Sequence, residues 1–264
     1  MKIVLTIAGF DPSGCAGLLA DTKTFEAHGV YGMAVCTANT VQNVAEFFEP
    51  GWKGEDELFF QLSCLQRETD FNFVKIGLIR DFDLLNRLID KLTERNKAVK
   101  IIWDPVCMAT ASYSFHTRTD PKLLLEICRK IYLITPNLNE IAILVPDTEA
   151  DEAGRYLSQF CNVLIKGGHS ADQFSTDTLY QSGEIRDTSA EVIGFRAEKL
   201  PSVSKRGTGC VLSAAILSNL ALCNGLTESC RKAKDYIGQY LLSGPGLIGN
   251  HDYKPGHSLK PNTV

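Results

Sequence analysis

Gly207-Thr208-Gly209-Cys210, followed without a break by Val211-Leu212-Ser213-Ala214-Ala215-Ile216-Leu217-Ser218-Asn219-Leu220-Ala221-Leu222, is the stretch from which the rest of the chain can be read. The run after Cys210 is apolar on nearly every side, which predicts a helix enclosed in a core rather than lying on a surface. The two glycines permit a sharp turn and let bare N–H groups come close to a ligand. A first helical turn carries unsatisfied N–H donors and the positive end of the helix dipole, and together these make an anion site. Cys210 falls at the same end, where a thiolate is favoured and the thiol pKa is expected to fall. An anion site beside a group able to take a proton suits phosphoryl transfer to an alcohol. The same four residues also fit a plain Gly-rich loop ahead of a core helix with an inert cysteine, so the flanking sequence has to decide.

The chain of 264 residues can bury a sizeable core. With 44% hydrophobic and 22% charged residues it has the composition of a globular protein, and a net charge of −4 gives no general footprint for nucleic acid or an anionic membrane. Any affinity for phosphate must therefore be local. The first apolar stretch, Met1 to Ala8, is too short for a signal segment, and no stretch approaches the ~18–20 apolar residues of a membrane helix. Nine cysteines at irregular spacing, with no C-x-x-C pair, argue for reduced thiols and a cytoplasmic location rather than a disulfide scaffold or a zinc site.

Outward from the 207–222 stretch, apolar periodicity predicts an alternation of strands and helices. Strands are expected at 2–8, 33–41, 72–76, 99–103, 131–135 and 162–165. Helices are expected at 14–28, 55–67, 81–95, 122–129, 137–145, 149–160, 209–223 and 227–242. Shorter β-like pieces lie at 178–181, 184–188 and 192–195, and the tail from Gly244 reads as surface loop. This order implies one α/β domain over residues 1–264, with a mainly parallel sheet covered on both faces and the 176–196 region as an antiparallel edge.

Ligands in such sheets bind beyond the carboxyl ends of the strands, and the unusual motifs fall there. Gly9-Phe10-Asp11-Pro12-Ser13-Gly14 follows the first strand, Asp104-Pro105 another, Pro136-Asn137-Leu138-Asn139-Glu140 the next, and Lys166-Gly167-Gly168-His169 the one after. Asp104 either begins a turn or serves Mg²⁺, which binds through one or two carboxylates and otherwise through water and phosphates. Asn137 with Glu140 fits a helix capping box as well as it fits a metal edge. Lys166 either snorkels to solvent or meets a phosphate. Asp21 suits a solvated acid in the first half of a helix. Gln42 and Asn43 offer amide donors and acceptors suited to a heterocycle, or are ordinary loop residues. The first loop is neither G-x-G-x-x-G nor a Walker loop.

In order, Thr6 to Gly17, Gln42-Asn43, Lys75-Ile76-Gly77, Asp104-Pro105-Val106, Thr135 to Leu138 with Glu140, Lys166 to His169 and Gly207 to Ala215 resemble the hydroxymethylpyrimidine/phosphomethylpyrimidine kinases, within the ribokinase-like superfamily. The resemblance covers nearly the whole chain and implies a three-layer α/β/α fold. It implies ATP-dependent phosphorylation of 4-amino-5-hydroxymethyl-2-methylpyrimidine and of its monophosphate, in thiamine biosynthesis. Cys210 would be the base, with the N–H groups of Gly207 to Cys210, Gly209 among them, holding the transferred charge. Gly9, Ala16, Asp21, Gln42 and Leu78 would line the pyrimidine pocket, Asp104 and Glu140 would face Mg²⁺, and Lys166, Gly168 and Thr208 would face the nucleotide. Family members commonly form homodimers. The chain departs from the family at Cys15, at Leu78 and at Ser204-Lys205-Arg206, where relatives often carry a Thr-His pair. Lys205 and Arg206 are expected to meet ATP phosphates or to signal a different acceptor. The alternatives are a pyridoxine/pyridoxal kinase, a non-catalytic pyrimidine-binding protein, and a sugar kinase, the last disfavoured because those relatives carry Asp where Cys210 stands.

Overall fold

A computed structural model of the chain describes residues 1–108, 114–116, 120–168, 173–183, 191–199 and 204–251. Ten strands and eight helices are described, in the order β1 (Ile3–Phe10), α1 (Gly17–Ala27), β2 (Tyr31–Asn39), β3 (Val41–Gln42), β4 (Phe47–Glu49), α2 (Glu55–Leu65), β5 (Phe73–Ile76), α3 (Phe82–Arg95), β6 (Lys100–Trp103), α4 (Pro121–Cys128), β7 (Leu133–Ile134), α5 (Leu138–Leu144), α6 (Ala150–Ser158), β8 (Asn162–Ile165), β9 (Phe174–Tyr180), β10 (Val192–Glu198), α7 (Thr208–Ala221) and α8 (Leu226–Leu242).

Eight of the strands form one sheet, ordered β10-β9-β8-β7-β6-β5-β1-β2. Pairing is parallel from β8 through to β2, while β9 and β10 add antiparallel. The antiparallel edge expected from the sequence is therefore present, although the 184–188 piece lies outside the described residues. Alternate residues of the strands feed two apolar clusters. Leu5, Ile7, Val74, Ile76, Ile101, Trp103 and Val163 pack against α2 to α6 on one face. Val4, Ile102, Leu133 and Leu164 pack against α1, α7 and α8 on the other. The result is the three-layer α/β/α arrangement that strand–helix alternation requires.

Local chemistry explains where helices begin. Asp81 caps α3 by accepting the Leu84 N–H at 2.7 Å, and its six buried apolar side chains, Phe82 to Leu92, form one stripe. Asp120 and Pro121 start α4. Helix α7 differs. Every residue from Val211 to Ala221 is buried, and Ser213, Ser218 and Asn219 are accommodated by bonding the carbonyl one turn back. Some boundaries depart from expectation: α1 begins at Gly17 rather than Gly14, β2 at Tyr31 rather than Met33 and β9 at Phe174 rather than Thr178, and β3 with β4 forms a small separate hairpin.

Strand β1 neighbours β2 on one side and β5 on the other. Chain direction across the sheet reverses there, so a crevice opens beyond the carboxyl ends of β1 and β5. The motifs gather around it.

Candidate active site

The floor of the crevice is laid by Asp11. Its Oδ1 accepts the Ser13 N–H at 2.8 Å and the Ser13 hydroxyl at 2.7 Å, and its Oδ2 accepts the N–H groups of Cys15 and Ala16 at 3.2 and 2.9 Å. This folds the loop after β1 against the start of α1. Gly9 lies so close to Leu78, just past β5, that a Cβ on it would stand 2.9 Å from the Leu78 side chain. Ala16, Gln42, Arg206 and Gly207 line one open cleft together with Asp11, Ser13 and the 43–47 segment. Gln42 donates to the Thr40 hydroxyl at 2.8 Å, which fixes its amide at the mouth. Ala16 and Gln42 thus share the cleft, while Gly9 and Leu78 pack against each other beside Thr40, the residue that Gln42 bonds.

The 207–210 turn closes over this loop. Gly207 has φ +71°, and a Cβ there would meet the Cys15 carbonyl oxygen at 1.8 Å, so only glycine fits. No side chain caps the N-terminus of α7. Thr208, Gly209 and Cys210 form its first turn, as an anion site requires. A Cβ on Gly209 would be 3.2 Å from the Lys166 ammonium and 3.9 Å from Asp104 Oδ2. That spacing puts the strand-end motifs against the anion turn.

Lys166 is the hub of this wall. Its ammonium donates to Asp104 Oδ1 at 2.6 Å and stands 3.6 Å from Glu140 Oε2. Asp104 also accepts the hydroxyls of Thr135 at 3.1 Å and Ser213 at 3.2 Å. Burial would raise the Asp104 carboxyl, but Lys166 and Lys75 hold it below the usual carboxylate range. Glu140 is pushed up to about 7 by burial, with Asp104 adding to the rise and Lys166 opposing it. Burial works against the Lys166 charge, yet Asp104 and Glu140 hold the ammonium above the usual lysine range. The two readings of Glu140 coexist. Its Oε2 accepts the Asn137 N–H at 2.7 Å, and Asn137 Oδ1 accepts the N–H groups of Asn139 and Glu140, a complete capping box. Gly168 is exposed with open space around it, as a backbone approached by a ligand would be.

Four expectations need correction. Asp21 is neither solvated nor open to a ligand: it is fully buried, its Oδ1 paired with Lys75 Nζ at 2.5 Å and its Oδ2 accepting the Thr6 hydroxyl at 2.6 Å. The Cys210 thiol is not lowered. Burial pushes it up to about 11, and the nearby Asp104 and Asp21 carboxylates add to the rise against Lys75 and the Gly17 N–H. The Lys205 ammonium is buried and already taken up, donating to the carbonyls of Gly244, Gly246 and Ile248 at 2.6, 2.9 and 2.8 Å rather than standing open to a phosphate. Arg206 likewise spends its guanidinium on the carbonyls of Val44 at 2.9 Å and Ala45 at 3.2 Å.

Sequence reasoning missed Lys75 as a site residue. It is wholly enclosed in β5, and its charge is felt by Cys210 and Asp104 as well as by Asp21. The signal was present: a lysine inside Phe73-Val74-Lys75-Ile76 points into a core and demands a partner. Among the described residues, no three His, Cys, Asp or Glu side chains gather into a metal-binding group. Any metal at Asp104 and Glu140 would therefore need ligand oxygens besides the protein's.

A family model described as phosphomethylpyrimidine kinase matches residues 11–255. The chain is 33% identical over 253 residues to a hydroxymethylpyrimidine/phosphomethylpyrimidine kinase of Aquifex aeolicus, covering 93% of this chain and 96% of that one. Among solved structures it is similar to a phosphomethylpyrimidine kinase of Clostridium difficile, at 29% identity and a TM-score of 0.72, over 90% of this chain and 98% of that one. The pyridoxal kinase of Staphylococcus aureus shares the fold. Its complexes with pyridoxal and with ADP each give a TM-score of 0.81, at 24% and 22% identity, over 96% of this chain and 94% of that one.

Proposed function

The chain belongs to the phosphomethylpyrimidine kinase family, and from that premise we propose that it moves the γ-phosphoryl group of ATP onto the hydroxymethyl oxygen of 4-amino-5-hydroxymethyl-2-methylpyrimidine, and then phosphorylates the resulting monophosphate. The observation that carries this reading is Gly209, which puts the uncapped turn of α7 against Lys166 and Asp104 with Cys210 as the next residue. In the transfer, a bond forms between the acceptor oxygen and phosphorus as the bond to ADP breaks, and the acceptor loses its proton.

Each wall of the crevice has a task in that scheme. Gly9, Ala16, Gln42 and Leu78 receive the heterocycle, and Gln42 offers an amide for its ring nitrogens or amino group. The N–H groups of the 207–210 turn face the charge that spreads over the transferred oxygens. Lys166, Thr208 and Gly168 face the nucleotide phosphates. Such transfers pass through a loose transition state in which positioning and charge stabilisation outweigh base strength. A thiol held near 11 is mostly protonated at neutral pH, so Cys210 serves as base only through its minor thiolate form, which takes the acceptor proton late, as the bond to phosphorus closes.

Asp104 and Glu140 supply hard oxygen donors on one side of the turn, which suits Mg²⁺ held by two carboxylates together with substrate phosphates. When bound, the ion would neutralise phosphate charge and orient the transferring group. Use of ATP agrees with the ADP complex of the Staphylococcus aureus kinase of the same fold. A homodimer and a cytoplasmic location complete the proposal; among the described residues no helix is long and apolar enough to cross a membrane.

The fold shared with pyridoxal kinase favours one competing acceptor, a B6-type hydroxymethyl pyridine. Initial ATP-dependent rates with the pyrimidine and with pyridoxal, measured side by side, separate the two. The proposal requires faster turnover of the pyrimidine; turnover of pyridoxal alone would overturn it.

A further inference from the structure

Lys205 is buried, its side chain takes no part in the scheme above, and among the described residues no carboxylate pairs with it. What surrounds its ammonium is a ring of backbone oxygens. The turn after α8 points the carbonyls of Gly244, Gly246 and Ile248 at one point, with Gly246 at φ +79° supplying a bend that side-chain-bearing residues rarely adopt. Three carbonyl dipoles converging negative end first repel one another, and a cation at the centre offsets that repulsion. The rest of the turn is tied to the same place. The Arg206 N–H donates to the Leu247 carbonyl at 2.9 Å, the Tyr240 hydroxyl donates to the Arg206 carbonyl at 3.1 Å, and Asn250 N–H donates to the Ser243 hydroxyl at 2.7 Å. Gly207 follows at once and is itself wedged against the Cys15 carbonyl.

We propose that Lys205 is a positioning residue for phosphoryl transfer: a tethered cation that gathers the 244–248 carbonyls and so fixes the chain entering the 207–210 turn. The inference rests on the reading of that turn as the phosphoryl-binding loop. An ammonium attached to the backbone does by covalent linkage what a free monovalent cation would do in the same ring of oxygens. Removing the side chain should leave a cation-sized vacancy lined by carbonyls, whereas replacing it with an uncharged side chain of similar length should leave the vacancy filled and uncharged.

The test compares wild type, Lys205→Ala and Lys205→Met in a buffer whose only cation is a bulky quaternary ammonium apart from Mg²⁺, with ammonium chloride or potassium chloride then titrated in. Misplacement of a catalytic loop costs on the order of 10²-fold, and that loss in kcat is expected for both variants. Lys205→Ala should recover with saturable dependence on ammonium or potassium, in its kcat and in its thermal midpoint, while wild type and Lys205→Met should not respond. If Lys205→Ala needs the ion even to fold, the same saturable dependence appears in the thermal midpoint. Unchanged kcat in both variants, or a loss that neither ion relieves in activity or melting, would overturn the inference. Wild type inactive on the pyrimidine would instead count against the proposed function, and the ion dependence of melting would still decide the role of Lys205.

Discussion

Lys75→Met tests whether the enclosed pair beneath the thiol is organised as described. Lys75 and Asp21 are both completely buried, their charged atoms lie 2.5 Å apart, and Thr6 satisfies the second oxygen of Asp21. Removing one partner of such a pair leaves an uncompensated charge in the core, a change worth about 3–5 kcal/mol. That is a large share of the roughly 5–15 kcal/mol that holds a folded domain together. At about 2–4 °C per kcal/mol for a chain approaching this size, the thermal midpoint should fall by roughly 6–20 °C. Asp21→Asn combined with Lys75→Met removes both charges while keeping an acceptor for Thr6, and should recover most of the loss. Urea denaturation of wild type, both single variants and the double variant closes the cycle and gives the coupling between the two positions. The reasoning fails if Lys75→Met unfolds within about 0.5 kcal/mol of wild type, below the effect of any named core mechanism. It also fails if the double variant is no more stable than Lys75→Met alone.

Further outcomes follow from the same geometry. Gly207→Ala forces a Cβ onto the Cys15 carbonyl at 1.8 Å and into a left-handed conformation costing roughly 1–2 kcal/mol in itself; kcat should collapse, and full activity would contradict the packing of the turn. The Glu140 carboxyl is raised to about 7 in the folded chain, so its contribution to stability is full at low pH and is lost as pH rises through 7. Glu140→Gln keeps the capping box, and in ligand-free protein its melting midpoint should gain on wild type as pH climbs from 5 to 8; a constant offset would argue against the raised carboxyl. With the thiol held near 11, alkylation of Cys210 by iodoacetamide, followed by peptide mass, should be slow at pH 7 and should accelerate up to about pH 11. A rate that levels off below pH 8 would reverse that assignment.

The apolar run after Cys210 gave away α7, because a helix with no polar face can only be enclosed, and strand–helix alternation fixed the layered sheet around it. Motifs at strand ends were legible for a physical reason: a parallel sheet delivers all its carboxyl ends to one rim, so Asp104, Glu140, Lys166 and the 207–210 turn had to meet. What escaped were contacts made across the fold. Asp21 looked like a surface acid because its partner, Lys75, lies 54 positions away on another element. Lys205 and Arg206 looked like phosphate ligands because no local pattern announces a turn of carbonyls some 40 positions later, or the backbone of residues 44 and 45. The direction of the Cys210 shift was misjudged for a related reason: the helix end is visible in sequence, but the burial and the two carboxylates that outweigh it are not.

Cys210→Ala is the most direct trial of the account, with calorimetric binding of the pyrimidine and steady-state phosphorylation measured on one preparation. If the Cys210 thiolate takes the acceptor proton at the head of α7, pyrimidine affinity stays near that of wild type while kcat drops by about 10²–10⁴-fold, the range for a positioned proton-transfer group. An unchanged kcat would remove Cys210 from the reaction and contradict the account at its centre.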